Sequence, residues 1–153
     1  MKPRNILFTM AFCLAAFVCF AQQPQMGTWK LNEAKSKFPA GAAKNHTVVY
    51  EASGDNVKVT VDGTDKDGKP THNEWTGKFD GKDYPVTGDA NSDVRSYRMI
   101  NKNTLSLSGK KNGKETLSGR VVVSSDGKTR TVTTTTTNAQ GKKVMSTAVY
   151  DKQ

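Results

Sequence analysis

Residues 104–150, TLSLSGKKNGKETLSGRVVVSSDGKTRTVTTTTTNAQGKKVMSTAVY, decide the fold. Three turn signals recur in them 14 residues apart: Asn112-Gly113-Lys114, Asp126-Gly127-Lys128 and Gln140-Gly141-Lys142. Asn-Gly and Asp-Gly suit tight hairpins because both central residues of a type I′ turn need a positive φ. The runs between them are rich in Val, Thr and Leu, which fit a pleated, half-buried surface. Leu105 and Leu107 alternate with Ser106 and Ser108, as one face in and one face out requires. The spacing leaves room for strands of about ten residues joined by short turns.

The same grammar runs back through the chain. Asp67-Gly68-Lys69 and Asp80-Gly81-Lys82 repeat the turn signal, and Val57, Val59 and Val61 alternate with Lys58, Thr60 and Asp62. The pattern predicts strands near 26–32, 45–52, 56–62, 71–79, 83–87, 94–100, 104–110, 114–124, 128–137 and 142–150. Tyr84-Pro85-Val86 is the weakest, because proline cannot donate to a ladder. Residues 33–44 offer the one space for a helix, and Phe38-Pro39-Ala40-Gly41 makes it a turn or loop.

Hairpin following hairpin is an antiparallel up-and-down meander. An open meander leaves two unpaired edges, which closure removes. A sandwich would need longer crossing connections. The expected architecture is therefore an all-β barrel of eight to ten strands. Thr133-Thr134-Thr135-Thr136-Thr137 places threonine on both faces of one strand, which suits a wet interior better than a dry core.

Residues 1–21 read as a cleaved signal peptide. Lys2 and Arg4 form a charged start, Ile6 to Phe20 an apolar run, and Cys19-Phe20-Ala21 a cleavage site. The run is short for a membrane span, which needs roughly 20 apolar residues, so no stable membrane insertion is expected. Lipid attachment at Cys19 is the alternative, although Phe17 and Val18 do not resemble a lipobox. The reading makes the protein exported, periplasmic or secreted, with a single domain over 22–153.

Both cysteines, Cys13 and Cys19, fall inside that segment, so the 132 remaining residues carry neither thiol nor disulfide. Losing Lys2 and Arg4 takes the net charge from +9 to +7. Most lysines sit in or beside turns, where they keep strand edges solvated. Nucleic-acid binding is not expected, since no aromatic-basic stacking pattern accompanies the charge.

Gly27-Thr28-Trp29-Lys30-Leu31 opens the first strand and resembles the Gly-x-Trp signature that begins the barrel of lipocalins and fatty-acid-binding proteins, the calycin group. The resemblance implies that Gly27 and Trp29 close one end of the barrel beneath a ligand cavity. Val144 to Tyr150 resembles the final strand that pairs back to the first. The chain is also similar to small exported bacterial lipocalin-like proteins of unassigned role. It departs in lacking room for a helical lid. It also has Ala148-Val149-Tyr150 where fatty-acid-binding proteins carry an Arg-x-Tyr clamp.

On strand parity, Trp75 and Phe79 share a face and are candidate cavity walls. Arg98 shares parity with Val94 and Ile100, which points it inward, where a guanidinium needs Asp93, Glu115 or an anionic ligand as partner. Tyr50, Tyr97 and Tyr150 can each offer a hydroxyl to a cavity. The expected ligand-binding set is Trp75, Arg98, Tyr97, Phe79 and Tyr50, and the expected partner a small hydrophobic or amphipathic molecule, an anion included. A monomer is expected.

Catalytic patterns are poor: no nucleophile elbow, no phosphate loop and no cofactor motif occur. His72 and Glu74 share a strand face, but no third ligand joins them or His46, so no metal site is assigned. Two other roles compete with ligand binding. One is a packed barrel docking its basic rim on an anionic envelope surface or a protein. The other is a barrel enzyme, which would need His72 or Glu74 facing inward.

Overall fold

A computed structural model describes residues 23–137 and 140–153. The signal segment and its cleavage site lie outside the described residues. Ten antiparallel strands follow in chain order: β1 (Gly27–Leu31), β2 (Lys44–Ser53), β3 (Asn56–Thr64), β4 (Pro70–Gly77), β5 (Tyr84–Thr87), β6 (Val94–Asn101), β7 (Thr104–Lys111), β8 (Lys114–Val123), β9 (Thr129–Thr137) and β10 (Lys143–Lys152). Each pairs with its neighbours in sequence, and β1 pairs with both β2 and β10, so the meander is a closed barrel. The ten strands stand where alternation and turns place them, with ends shifted by one or two residues.

The turns are more varied than five type I′ hairpins. Asn112 is the one non-glycine residue with positive φ among those described, at 50° beside Gly113 at 77°, so that hairpin alone has the I′ signature. At Asp126-Gly127 the Gly127 amide donates to Ser124 O at 2.9 Å, and at Asp67-Gly68 the Gly68 amide donates to Asp65 O at 3.1 Å. In both, glycine follows the turn and takes the left-handed conformation the chain needs to rejoin the ladder. Asp80-Gly81 is not a hairpin tip. It lies along β6, with Asp80 bridged to Arg98 and the Gly81 amide donating to Tyr97 O at 2.9 Å.

The β1–β2 connection holds one 3-10 turn, Glu33–Lys35, and Lys37 then bridges Thr147 of β10. Burial divides the barrel along its length. At one end Trp29, Trp75, Val57, Val59, Leu105 and Val123 are almost wholly buried. Each such side chain contributes roughly 1.5–3 kcal/mol by leaving water. The other end is hollow.

Candidate functional site: a half-filled barrel

The filled half is an aromatic plug. Trp75 stacks on Phe79 and meets Tyr84 and Tyr97 edge-on, with ring centroids 6.4, 5.8 and 4.8 Å apart. Tyr50 joins through edge contacts to Phe79 and Tyr97, both at 6.3 Å. Four of the five candidate residues thus form one cluster, but of these only Tyr97 borders the hollow half. Trp29 is fully buried and its indole donates to Gln25 O at 2.9 Å, tying β1 to the segment that leads into it. Gly27 turns the chain into β1 at φ 105°, a conformation that favours glycine.

Arg98 does not face the interior. It is exposed on the outer wall, where its side chain packs over Gly81. The inward residues of β6 are Arg95 and Tyr97, so the strand has the opposite parity to the one Val94 and Ile100 suggest. Asp93 accepts from the Asn112 amide and Glu115 from the Ser108 hydroxyl. His72 and Glu74 also face outward. They form an exposed chain, Asp62–His72–Glu74–Lys58, with contacts of 2.7, 3.6 and 2.8 Å. Asp62 above all raises the His72 pKa. No group of three metal-ligating side chains occurs among the described residues.

The hollow half is a cavity of about 760 Å³. Its apolar wall includes Val48, Val61, Leu107, Leu117, Val121 and Val132; its polar wall includes Asn73, Thr134, Thr136 and Ser146. The threonine run therefore reads as one strand face of this cavity, with Thr134 and Thr136 inward. Phe38, Pro39, Ala40, Ala42 and Ala43 of the β1–β2 connection border the mouth, as do residues 88–92 between β5 and β6.

Two arginines border the cavity where it meets the plug. Arg95 donates to Asp89 Oδ2 at 2.8 Å and to Asn73 Oδ1 at 3.2 Å, so its charge is paired within the wall. Arg130 is 3% exposed, and its Nε and Nη1 have no hydrogen-bond acceptor. Three rings surround its guanidinium instead, with centroids at 4.7 Å (Tyr150), 5.1 Å (Tyr50) and 5.5 Å (Trp29). Desolvated cation–π contacts contribute about 2 kcal/mol each. That offsets part, not all, of the cost of a buried cation without a counter-charge. Burial pushes the Tyr150 hydroxyl up, against the pull of Arg130, and burial and then Tyr97 push the Tyr50 hydroxyl up as well. Neither phenol is a phenolate near neutral pH, so neither supplies the counter-charge.

Sequence reasoning passed over Arg130, although a signal was present. It shares parity with Val132, the one apolar residue of β9, and so had to share its face.

No protein-family model matches the chain, and no curated protein matches it. Nine solved chains do. EF1p2_mFAP2b, solved bound to DFHBI, is 13% identical over 86% of this chain and 95% of that one, with a TM-score of 0.49. A redesigned β-barrel, b11L5F_LGL, is 14% identical over 89% of this chain and 97% of that one, with a TM-score of 0.47. The chain is an all-β protein, a closed antiparallel ten-stranded meander barrel.

Proposed function

We propose that this protein binds a small, partly apolar molecule inside the barrel, without catalysis. The observation that carries the reading is the cavity of about 760 Å³, bounded by Val61, Leu107, Leu117 and Val132 on one side and polar groups on the other. Small-molecule sites have this size and this mixture of apolar surface with a few placed polar groups. Trp75 and Phe79 serve it from below, as the plug on which the floor is built, and Tyr97 faces it directly. Residues 1–21, read as a cleaved signal, make the binding extracytoplasmic, with the protein acting as a monomeric carrier.

A packed barrel docking its basic rim on an anionic surface has less support. Several rim lysines are already engaged, as in Lys110–Asp83 at 2.7 Å and Lys66–Asp67 at 3.0 Å. The test is native mass spectrometry of gently purified protein, followed by titration with the neutral fluorophore 1-aminoanthracene. Retained mass released on denaturation, or saturable fluorescence at one site per chain, supports an occupied barrel. A clean apo mass with no dye binding overturns the reading.

A further inference from the structure

We propose that the outer wall of strands β6 to β10 binds an acidic polysaccharide chain, with Arg98 and Arg120 as its anion contacts. The inference goes beyond the cavity reading and does not depend on it. Cross-strand pairing sets this surface out in rows, because directly paired residues put their side chains on one face. One row runs Arg98–Ser106–Arg120–Thr133–Thr147–Lys37, across five strands and onto the β1–β2 connection. Arg98, Arg120 and Lys37 are all exposed. None of the three side chains has a carboxylate within ion-pair distance among the described residues, in contrast to Lys110 and Lys66 on the rim. The next row toward the open end is Ser96–Ser108–Ser118–Thr135. Neither row carries an acidic residue. At their margins Asp80 accepts from the Lys82 amide at 3.0 Å and the Tyr84 hydroxyl at 2.9 Å, and Glu115 accepts from the Ser108 hydroxyl at 3.2 Å.

The chemistry of the wall selects its partner. A guanidinium presents a planar fork of donors that matches a carboxylate. Arg98 and Arg120 stand two strands apart, roughly 10 Å between their Cα atoms. Their forks therefore reach separate charges of a repeating chain rather than one small anion together. Between them the side chains are short hydroxyls, which both donate to and accept from sugar hydroxyls. No aromatic ring stands in either row, so the face has nothing on which a nucleobase stacks. The row also winds around a closed barrel, a path that a flexible chain can follow and a flat bilayer cannot.

The experiment is calorimetric titration, at low and at high salt, with an alginate octasaccharide, with neutral maltooctaose and with phosphatidylglycerol–phosphatidylcholine vesicles. The native protein binds the alginate octasaccharide at one site per chain, more weakly at high salt, and does not bind maltooctaose. Exposed charge pairs contribute up to about five-fold each, so Arg98→Gln combined with Arg120→Gln lowers the affinity at least about ten-fold. Lys66→Gln combined with Lys69→Gln removes the same amount of charge from the β3–β4 turn and changes the affinity less than about two-fold. Arg120→Gln alone lowers it about three-fold, and it decides the matter if the double arginine variant does not fold. Failure of the octasaccharide to bind overturns the proposal. Equal losses in the two double variants overturn it too, because net charge alone would then account for the binding. Vesicle binding that depends on the two arginines, with no binding of the octasaccharide, overturns it in favour of a lipid surface. Each of these outcomes leaves the cavity reading standing, since neither arginine borders the cavity.

Discussion

The Trp75 indole donates to the backbone oxygen of Arg95 at 2.8 Å. The residue whose guanidinium borders the cavity is thus anchored through its main chain by the centre of the aromatic plug. Plug and cavity are one structure: the filled half sets the positions of the groups that face the empty half.

Trp75→Phe keeps most of the apolar ring and removes that donor inside a buried cluster. Losing a buried hydrogen bond lowers stability by about 2 kcal/mol. Urea denaturation of the variant measures it, and a midpoint equal to the native one would show that the bond contributes nothing.

Gly77 is packed between two rings. A β-carbon there would lie 2.6 Å from Trp75 Cζ2 and 2.6 Å from Tyr84 Cγ. Neither atom is the loose end of a flexible chain, so the rings or the strand must move. Gly77→Ala is expected to destabilise by roughly 1–3 kcal/mol, as overpacked cores do. Thermal unfolding tests this, and an unchanged midpoint would mean that the plug yields more easily than its contacts indicate.

Asp89 and Arg95 form the buried ion pair of the cavity wall, with side chains 15% and 8% exposed. Asp89→Asn removes the negative partner and leaves a second uncompensated cation. Breaking a buried pair in this way costs about 3 kcal/mol. Urea denaturation measures the loss, and a midpoint equal to the native one would show that the pair contributes nothing to stability.

The exposed Asp62–His72 contact gives a pH signature. Asp62 raises the folded pKa of His72 above its ordinary value of about 6.5. The pair's stabilisation is therefore fully present below pH 6.5 and is lost as pH rises through the folded pKa. The NMR titration midpoint of His72 should fall toward its ordinary value in Asp62→Asn. An unmoved midpoint would show that the short contact does not depend on charge.

The strands were legible because their signals are local. Val57, Val59 and Val61 alternate without ambiguity, and glycines mark the breaks. Closure was legible too, from the short connections and from the two edges that an open meander would leave unpaired. The parity of β6 was not. That strand carries apolar residues on both faces, Val94 and Ile100 on one and Tyr97 and Met99 on the other, so alternation alone could not orient it. Pairing settles it: Tyr97 lies opposite Leu107, whose inward direction the Leu-Ser alternation of β7 already gives. Arg98 and Arg95 exchange roles on that single residue of parity. Which half of the barrel is hollow was beyond local reading, because it depends on how far large rings from β1, β2, β4 and β6 reach across the interior.

The division into filled and hollow halves predicts opposite outcomes for two insertions. Gly77→Ala adds one methyl group to the plug and should destabilise. Thr134→Phe adds a whole ring on β9, but Thr134 borders the cavity, where about 760 Å³ is free to receive it. Thr134 is half-buried on the cavity lining, and a ring there gains contact with apolar neighbours such as Val132 and Leu117. Stability should stay within about 1 kcal/mol of native or rise, as filling a void does. Ligand binding should fall at least about ten-fold, because the ring occupies the volume the ligand needs. Thermal unfolding and 1-aminoanthracene titration read the two effects separately. A Thr134→Phe variant that binds the dye as the native protein does would place the binding site outside the barrel.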